Sequence, residues 1–153
     1  MAAHLDQKNL RIRKAQQGDA ARLAELSDQL GYPATKKEMA KRLSLVLRGK
    51  KGACFVAVQH ESGRVIGWIH VSTTPLLEVA PRAEIHGLVV DENVRSQGAG
   101  RLLLEAAERW ARKSGAKSMS VRSNVIRERA HGFYEKNAYE HYKTQKAFRK
   151  HLR

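Results

Sequence analysis

The chain has little that could cross-link it or place it in a membrane. Its single cysteine, Cys54, excludes a disulfide within the chain, and its position in the apolar stretch ACFVAV favours a small buried side chain over a nucleophile. No stretch approaches the roughly 18 to 20 consecutive apolar residues of a transmembrane helix. The first 17 residues also lack the apolar core of a signal peptide. We therefore expect a cytoplasmic protein without a membrane partner.

Acidic residues are scarce relative to basic ones, with 15 Asp and Glu against 29 Lys and Arg, for a formal net charge of +14. Such an excess favours an anionic partner, whether nucleic acid, an anionic membrane, an acidic substrate or a polyphosphate cofactor. Charge alone does not choose among these, because solvated surface also accounts for part of it.

The pattern of apolar residues predicts one domain over residues 1–153, with helices packed on a largely antiparallel sheet. Thr35 and Glu38 have the spacing of a capping box at the start of a helix. The predicted elements are a strand at 10–15, helices at 20–30 and 36–48, a hairpin of strands at 53–59 and 64–72, a strand at 84–90, a long helix ending at Gly115, a strand at 117–123, a helix at 126–137, and one long or two short strands at 139–152.

A glycine turn follows the strand at 84–90. Gly98 and Gly100 open an amphipathic helix flanked by Arg95 and Arg101. Glycine allows close backbone approach, and a helix start offers unpaired N–H groups with partial positive charge, so this turn suits a pyrophosphate. It lacks the Lys-Ser/Thr of a nucleotide-hydrolysing loop, and Leu103 replaces the third glycine of a dinucleotide fingerprint. A purely structural turn is the alternative.

Two stretches together resemble the GCN5-related N-acetyltransferases (GNAT). The first, LVVDENVRSQGAGRLLLEAAERWA, contains the family's acetyl-coenzyme-A signature R/Q-x-x-G-x-G/A. The second, RSNVIRERAHGFYEKNAYE, is similar to the family's later A-x-x-F-Y segment, although Ala138 replaces the usual glycine before the last tyrosine. The matching residues are Arg95, Gly98 and Gly100 in the first stretch and Ala130, Phe133, Tyr134 and Tyr139 in the second.

The resemblance implies the acyl-CoA N-acyltransferase fold, an α/β (α+β) architecture with a mixed, mostly antiparallel sheet and helices on both faces. It implies an N-acetyltransferase that moves an acetyl group from acetyl-CoA, its cosubstrate, to a primary amine by direct attack in a ternary complex. No metal and no covalent enzyme intermediate are required. The implied cofactor-binding residues are Leu88, Val89 and Val90 along the pantetheine arm, Arg95, Ser96, Gln97, Gly98, Ala99, Gly100 and Arg101 at the pyrophosphate, and Asn124, for which a helix-capping role is the alternative.

Three residues are candidates for proton transfer. Tyr134 is the candidate general acid, because a phenol of pKa ~10 can protonate a departing thiolate of pKa near ~8.5. Glu84 is the candidate base, acting through water, and His86 is its rival on what we predict to be the same strand face. Each has a structural alternative, a packed core tyrosine or a solvated strand residue. Trp68, His70 and the loop at 73–83 are candidates for the wall of the acceptor pocket.

Two other function classes remain open. The segment YEHYKTQKAFRKHLR interleaves aromatic and basic residues, as a nucleic-acid-binding surface does, although a terminal strand also explains it. An acyl-CoA sensor without transfer activity is the third hypothesis. The sequence does not identify the amine acceptor, and exposed sheet edges favour a homodimer.

Overall fold

A computed structural model describes residues 9–94 and 98–153, which divide into two compact units, Met1–Arg122 and Ser123–Arg153. The described part of the first unit contains β1 (Leu10–Lys14), α1 (Ala20–Gln29), α2 (Lys36–Arg48), β2 (Gly52–Gln59), β3 (Val65–Thr74), β4 (Arg82–Val90), α3 (Ala99–Lys113) and β5 (Ser118–Val121). The second unit contains α4 (Glu128–Lys136).

The strands form one sheet in the order β1-β2-β3-β4-β5. The first four are antiparallel neighbours, and β5 runs parallel to β4. The mixed, mostly antiparallel sheet is therefore confirmed, as is the hairpin of β2 and β3.

Helices cover both faces of this sheet. On one face, which we call the α1/α2 face, Leu23 and Leu26 of α1 and Leu43 of α2 pack in one cluster with Val56 of β2. On the other, the α3 face, Leu103 lies against Gly67, where an added Cβ would approach its side chain to 3.2 Å. Burying each of these leucines contributes about 1.5–3 kcal/mol relative to exposure.

Local signals fix where α2 begins. The Thr35 hydroxyl accepts the backbone N–H of Glu38 at 3.1 Å, and the Glu38 carboxylate accepts the N–H of Thr35 at 3.0 Å. The predicted capping box is confirmed, and it satisfies two helix donors that would otherwise lack partners.

The lone cysteine is part of the core. Cys54 is buried, and burial, assisted by the charge of Asp19, raises the pKa of its thiol to about 12. The thiol therefore stays protonated and unreactive at neutral pH. Among the described residues, no helix combines the length and apolar character needed to cross a bilayer.

The predicted strand at 139–152 is wrong: residues 139–153 adopt neither strand nor helix. Tyr142, Phe148 and Leu152 are exposed. Tyr142, Phe148 and Leu152 would share one face of a strand, but Thr144, Lys146 and Lys150 would lie on that face too. The face is therefore too polar to hold the segment in a sheet.

Helix α4 ends where the family pattern places a glycine. Ala138 has a left-handed backbone with φ of 67°, and the N–H of Tyr139 bonds the carbonyl of Tyr134 at 2.9 Å. This closure is the kind that glycine usually provides, so the alanine carries a strain of order 1 kcal/mol.

Candidate active site

Strand β4 contains a bulge at His86. Ile85 lies opposite Val71 of β3, while Gly87 lies opposite His70, the preceding residue, so His86 is an extra residue with no partner of its own in this ladder. A bulge of this kind reverses the alternation of side chains along the strand.

The reversal separates two predicted site residues. Glu84 lies opposite Ser72 on the α1/α2 face, whereas Leu88 lies opposite Ile69 on the α3 face. Leu88 therefore does not share the face of Glu84, because the inserted residue shifts the period by one. His86 contacts Ser72, opposite Glu84, so the predicted shared face of Glu84 and His86 is confirmed.

A polar cluster nevertheless forms around His86. Its Nε2 lies 2.6 Å from the Ser72 hydroxyl, and its ring centroid lies 4.9 Å from that of His70. Burial, with a smaller contribution from His86, lowers the pKa of His70 to about 4, so His70 is neutral at physiological pH. The adjacent Glu84 carboxylate pairs with Arg122, Oε1 to Nε at 2.9 Å. The two candidate bases therefore lie beside a common serine-bearing strand position.

Trp68 lies on the same sheet face as this cluster. An added Cβ on Gly87 would meet its ring at 2.8 Å, so glycine is required there for the indole to occupy its place. The ring is partly buried against the α1/α2 core, and among the described residues its Nε1 has no hydrogen-bond partner. Trp68 thus supports the floor of the cluster through packing.

From Gly87 to Val89, the edge of β4 on the side of β5 is open among the described residues. Its ladder with β5 runs from Arg82 to Ile85, which pairs with Val121, and goes no further within the described residues. Leu88 and Val89 pair with β3 on their other side. An extended, amide-bearing chain can add to such an edge through backbone hydrogen bonds. This is the place where the pantetheine arm is expected.

The turn after β4 has the geometry that its glycines predict. Gly98 has a left-handed backbone, φ 85° and ψ 4°, and directly precedes α3. Its carbonyl accepts the N–H of Leu102 at 3.1 Å, which leaves the first N–H groups of the helix without intrahelical partners. Ala99, the first residue of the helix, is buried as a whole residue. Arg101 forms an exposed ion pair with Glu105 at 3.2 Å.

Three predicted pyrophosphate residues, Arg95, Ser96 and Gln97, lie outside the described residues. The N-terminal end of α3 alone already fits an anionic group, because its unpaired N–H groups carry partial positive charge and Gly98 and Gly100 add no side chains.

The second unit carries the remaining predicted residues. Tyr134 of α4 packs edge-on against Phe133 and Tyr139, with ring centroids 5.2 and 5.6 Å away. Burial raises the pKa of Tyr134 to about 12. The Asn124 Oδ1 accepts the N–H of Ile126 at 3.2 Å, so Asn124 shapes the turn that precedes α4.

Sequence reasoning missed the ion pair that anchors this region. Asp91, directly after β4, is buried, and its Oδ2 lies 2.5 Å from an Arg22 nitrogen on α1. Its Oδ1 accepts the N–H of Asn93 at 3.1 Å and the Gln29 amide at 3.4 Å. The sequence does show an aspartate at the end of a buried strand, which indicates a buried polar contact. Its partner Arg22 lies 69 residues earlier, so no local pattern identifies the pair.

Together these features define a class: a mixed sheet in which β4 has an open stretch on the side of β5 and is followed by a left-handed glycine at the start of a helix. Residues 20–139 match the model of the acetyltransferase (GNAT) family. The chain belongs to this family and is an N-acetyltransferase.

Named relatives agree with the class. An uncharacterized N-acetyltransferase, YhfO of Bacillus subtilis (strain 168), is 29% identical over 134 residues, covering 86% of this chain and 90% of the relative. An aminoglycoside N(6')-acetyltransferase type 1 of Stenotrophomonas maltophilia is 28% identical over 133 residues, covering 84% and 85%. Among solved structures, the aminoglycoside N-acetyltransferase AAC(6')-Iy in complex with CoA aligns with a TM-score of 0.83 at 18% identity, over 94% of this chain and 95% of that one.

We predict that Asp91→Ala lowers the free energy of unfolding by about 3 kcal/mol, because it leaves the Arg22 charge without its buried partner. The control is Glu25→Ala, which removes an exposed partner of the same arginine and should cost less than about 1 kcal/mol. Chemical denaturation followed by circular dichroism measures both.

The difference in unfolding free energy between the native protein and Asp91→Ala should depend on pH. The hydrogen bond from the Asn93 N–H, followed by those from Arg22 and Gln29, lowers the pKa of Asp91 below 3.8. The stabilisation that Asp91 provides is therefore fully present above the unfolded-state pKa of 3.8 and is lost as pH falls through the folded-state pKa. Equal stability of Asp91→Ala and Glu25→Ala at neutral pH would contradict the role of this pair.

Proposed function

We propose that this protein is an acetyl-CoA-dependent N-acetyltransferase that moves the acetyl group to a primary amine by direct attack in a ternary complex. The observations that carry the proposal are the edge of β4 from Gly87 to Val89, which is open among the described residues, and left-handed Gly98 at the start of α3. Together they suit a ligand with an extended amide arm and a pyrophosphate. That several relatives are named aminoglycoside acetyltransferases supports a primary amine as the acceptor.

In this proposal the cosubstrate is held almost wholly by backbone groups. Leu88, Val89 and Val90 lie along the pantetheine arm, and an N–H of this stretch polarises the thioester carbonyl. Gly98 to Arg101, with Arg95, Ser96 and Gln97, hold the pyrophosphate, and Asn124 adds a polar contact. The bound cosubstrate supplies an activated acetyl group.

The transfer requires two proton movements. The neutral amine nitrogen forms a bond to the thioester carbon, the carbon–sulfur bond breaks, and the sulfur departs as a thiolate. A base removes the excess proton from the nitrogen, and an acid supplies one to the sulfur. Each product is then neutral at its reacting atom, and no oxidant or metal takes part in this balance.

Tyr134 is the proposed acid. Its raised pKa keeps the phenol protonated throughout the neutral range, so the proton is always available. The gap to a thiol of pKa ~8.5 disfavours complete transfer to a free thiolate. Tyr134 therefore donates its hydrogen bond as negative charge develops on the sulfur, and the departed thiolate takes its final proton from water.

Glu84 is the proposed base, acting through a water molecule, and His86 is the alternative. Both border Ser72, and both have one atom engaged: Arg122 pairs with Oε1 of Glu84, and Ser72 contacts Nε2 of His86. The Glu84 Oε2 and the His86 Nδ1 are the atoms that would accept the proton.

The proposal predicts that Gly98→Asp weakens acetyl-CoA binding by at least about 100-fold, because its carboxylate would stand within a few ångströms of the pyrophosphate. Gly115→Asp is the matched control, since Gly115 ends the same helix with nearly the same backbone, φ 86° against 85°. Calorimetric titration with acetyl-CoA compares the variants. Equal affinities in the two variants would refute the cofactor site.

Tyr134→Phe should lower kcat by about 100-fold while the Kd for acetyl-CoA changes less than about twofold, because only the proton is removed. Tyr142→Phe removes the same hydroxyl from an exposed tyrosine and serves as control. Thiol release follows the rate. In the native enzyme Tyr134 stays protonated below about pH 10, so its ionisation should not lower kcat in that range. An undiminished kcat in Tyr134→Phe would exclude it as the acid.

Glu84→Gln should lower kcat/KM by about 10-fold or more, and the loss should grow as pH falls from about 9 to about 7, where less of an amine of pKa ~10.4 is neutral. His86→Gln is the comparison and should lose less than about threefold, since it is not the proposed base. The reverse result would assign the role to His86. A flat response in both variants would mean that the amine arrives neutral without a base.

A further inference from the structure

A cleft lies beside the candidate bases on the α1/α2 face. It has a volume of about 520 Å³, within the range of small-molecule sites. It lies between the C-terminal end of α2 and the ends of β2 and β3. We call it the lysine cleft, and its lining residues are Leu45, Val46, Gly49, Lys50, Lys51, Gly52, Ser72, Thr73 and Thr74.

The sheet register joins this cleft to the reacting region. Gly52 of β2 lies opposite Ser72, and Ser72 lies opposite Glu84. Adjacent strands are about 4.8 Å apart, so the row from Gly52 to Glu84 spans roughly 10 Å. Ser72 belongs both to the cleft wall and to the contact with His86. A small acceptor in the cleft can therefore extend its amine to the candidate bases.

Two cations border a cleft whose lining surface is otherwise mostly apolar. Lys50 and Lys51 are exposed, and no acidic residue lines the cleft among the residues that the structure describes. The adjacent carboxylate, Glu84, is paired with Arg122. A ligand bearing an anion would meet two cations here, whereas a polycation would meet repulsion.

Three carbonyls near the end of α2 have partners other than these lysines. The Gly49 N–H bonds those of Leu45 and Val46, each at 3.2 Å, and the Arg48 guanidinium bonds that of Ser44 at 3.3 Å. The backbone of Lys51 is fixed at the sheet edge, because its carbonyl accepts the Thr73 N–H at 2.8 Å. The side chain of Lys51 therefore starts from a set position on the cleft wall.

We propose that the lysine cleft selects an acceptor amine that carries an anionic group, a carboxylate or a phosphate, and that Lys50 and Lys51 bind this group while the amine reaches toward Glu84 and His86. The substrate class is an anionic primary amine, and a polycationic amine is disfavoured. This inference rests on the proposed function, since it concerns the acceptor of that reaction.

The test compares pairs of amines that differ in the anion: phosphoethanolamine with ethanolamine, and 4-aminobutyrate with butylamine. Kanamycin represents a polycationic acceptor. Three proteins are compared: the native chain, Lys50→Gln/Lys51→Gln, and Lys36→Gln/Lys37→Gln. The last pair is the matched control, because it removes two exposed lysines from the other end of the same helix.

In the native protein, kcat/KM should be higher for the anionic member of at least one pair of amines. Which pair shows this preference identifies the selected anion as a carboxylate or a phosphate. Lys50→Gln/Lys51→Gln should lower that kcat/KM by about tenfold, as expected for two exposed charge contacts, and should leave the KM for acetyl-CoA unchanged. Lys36→Gln/Lys37→Gln should change kcat/KM for the anionic amine less than about twofold. Added salt should reduce the difference in kcat/KM between the native protein and Lys50→Gln/Lys51→Gln.

A preference for the uncharged amines or kanamycin, or equal losses in the two double variants, would overturn the inference while leaving the transferase function intact. If no amine is acetylated, the proposed function fails instead. Calorimetric titration of the CoA-saturated protein with an anionic amine then tests the lysine cleft. Binding that weakens in Lys50→Gln/Lys51→Gln but not in Lys36→Gln/Lys37→Gln supports the inference. Equal binding in both double variants, or no binding at all, refutes it.

Discussion

The buried ion pair between Arg22 and Asp91 is the interaction on which the arrangement of the site depends. It joins the first helix to the residue at which β4 gives way to the glycine turn. The same arginine donates to the Val65 carbonyl at 2.8 Å, so the guanidinium also holds the start of β3. On the other side, the Asp91 N–H bonds the Ile66 carbonyl at 2.7 Å. One charge pair therefore joins α1 to the end of β4 and to the start of β3.

A charge buried in this way has to be paired, and that requirement makes the anchor specific. A hydrophobic contact between α1 and β4 could slide, since apolar packing is not directional. The Arg22 guanidinium instead has donors at fixed angles, directed at Val65, Glu25 and Asp91. The position of α1 relative to the turn follows from these bonds.

The bulge at His86 is the second constraint, and it gives the two halves of β4 different neighbours. Before it, β4 pairs with β5 and places Glu84 on the α1/α2 face beside Ser72. After it, the edge toward β5 is open from Gly87 to Val89 among the described residues, and Leu88 faces α3. One inserted residue thus separates the half of the strand that pairs with β5 from the half that does not.

Much of the fold follows from local patterns. Alternating apolar residues predicted the hairpin of β2 and β3, and the Thr35 and Glu38 spacing predicted the start of α2, because both signals depend on neighbours within a few residues. Gly98 was predicted as a turn residue and has the left-handed backbone that a Cβ disfavours. The prediction of a terminal strand was wrong, because Lys146 and Lys150 would lie on the same strand face as Tyr142 and Phe148.

The sequence by itself determined the order of strands and helices, the family, and the residue types available for proton transfer and phosphate binding, because these depend on short-range spacing. The tertiary structure decided the rest. The bulge reversed the face of Leu88 relative to Glu84, and Arg22 found Asp91 across 69 residues. The lysine cleft likewise joins residues from one helix end and two strands. Such contacts depend on how the sheet closes on its helices, which no local pattern encodes.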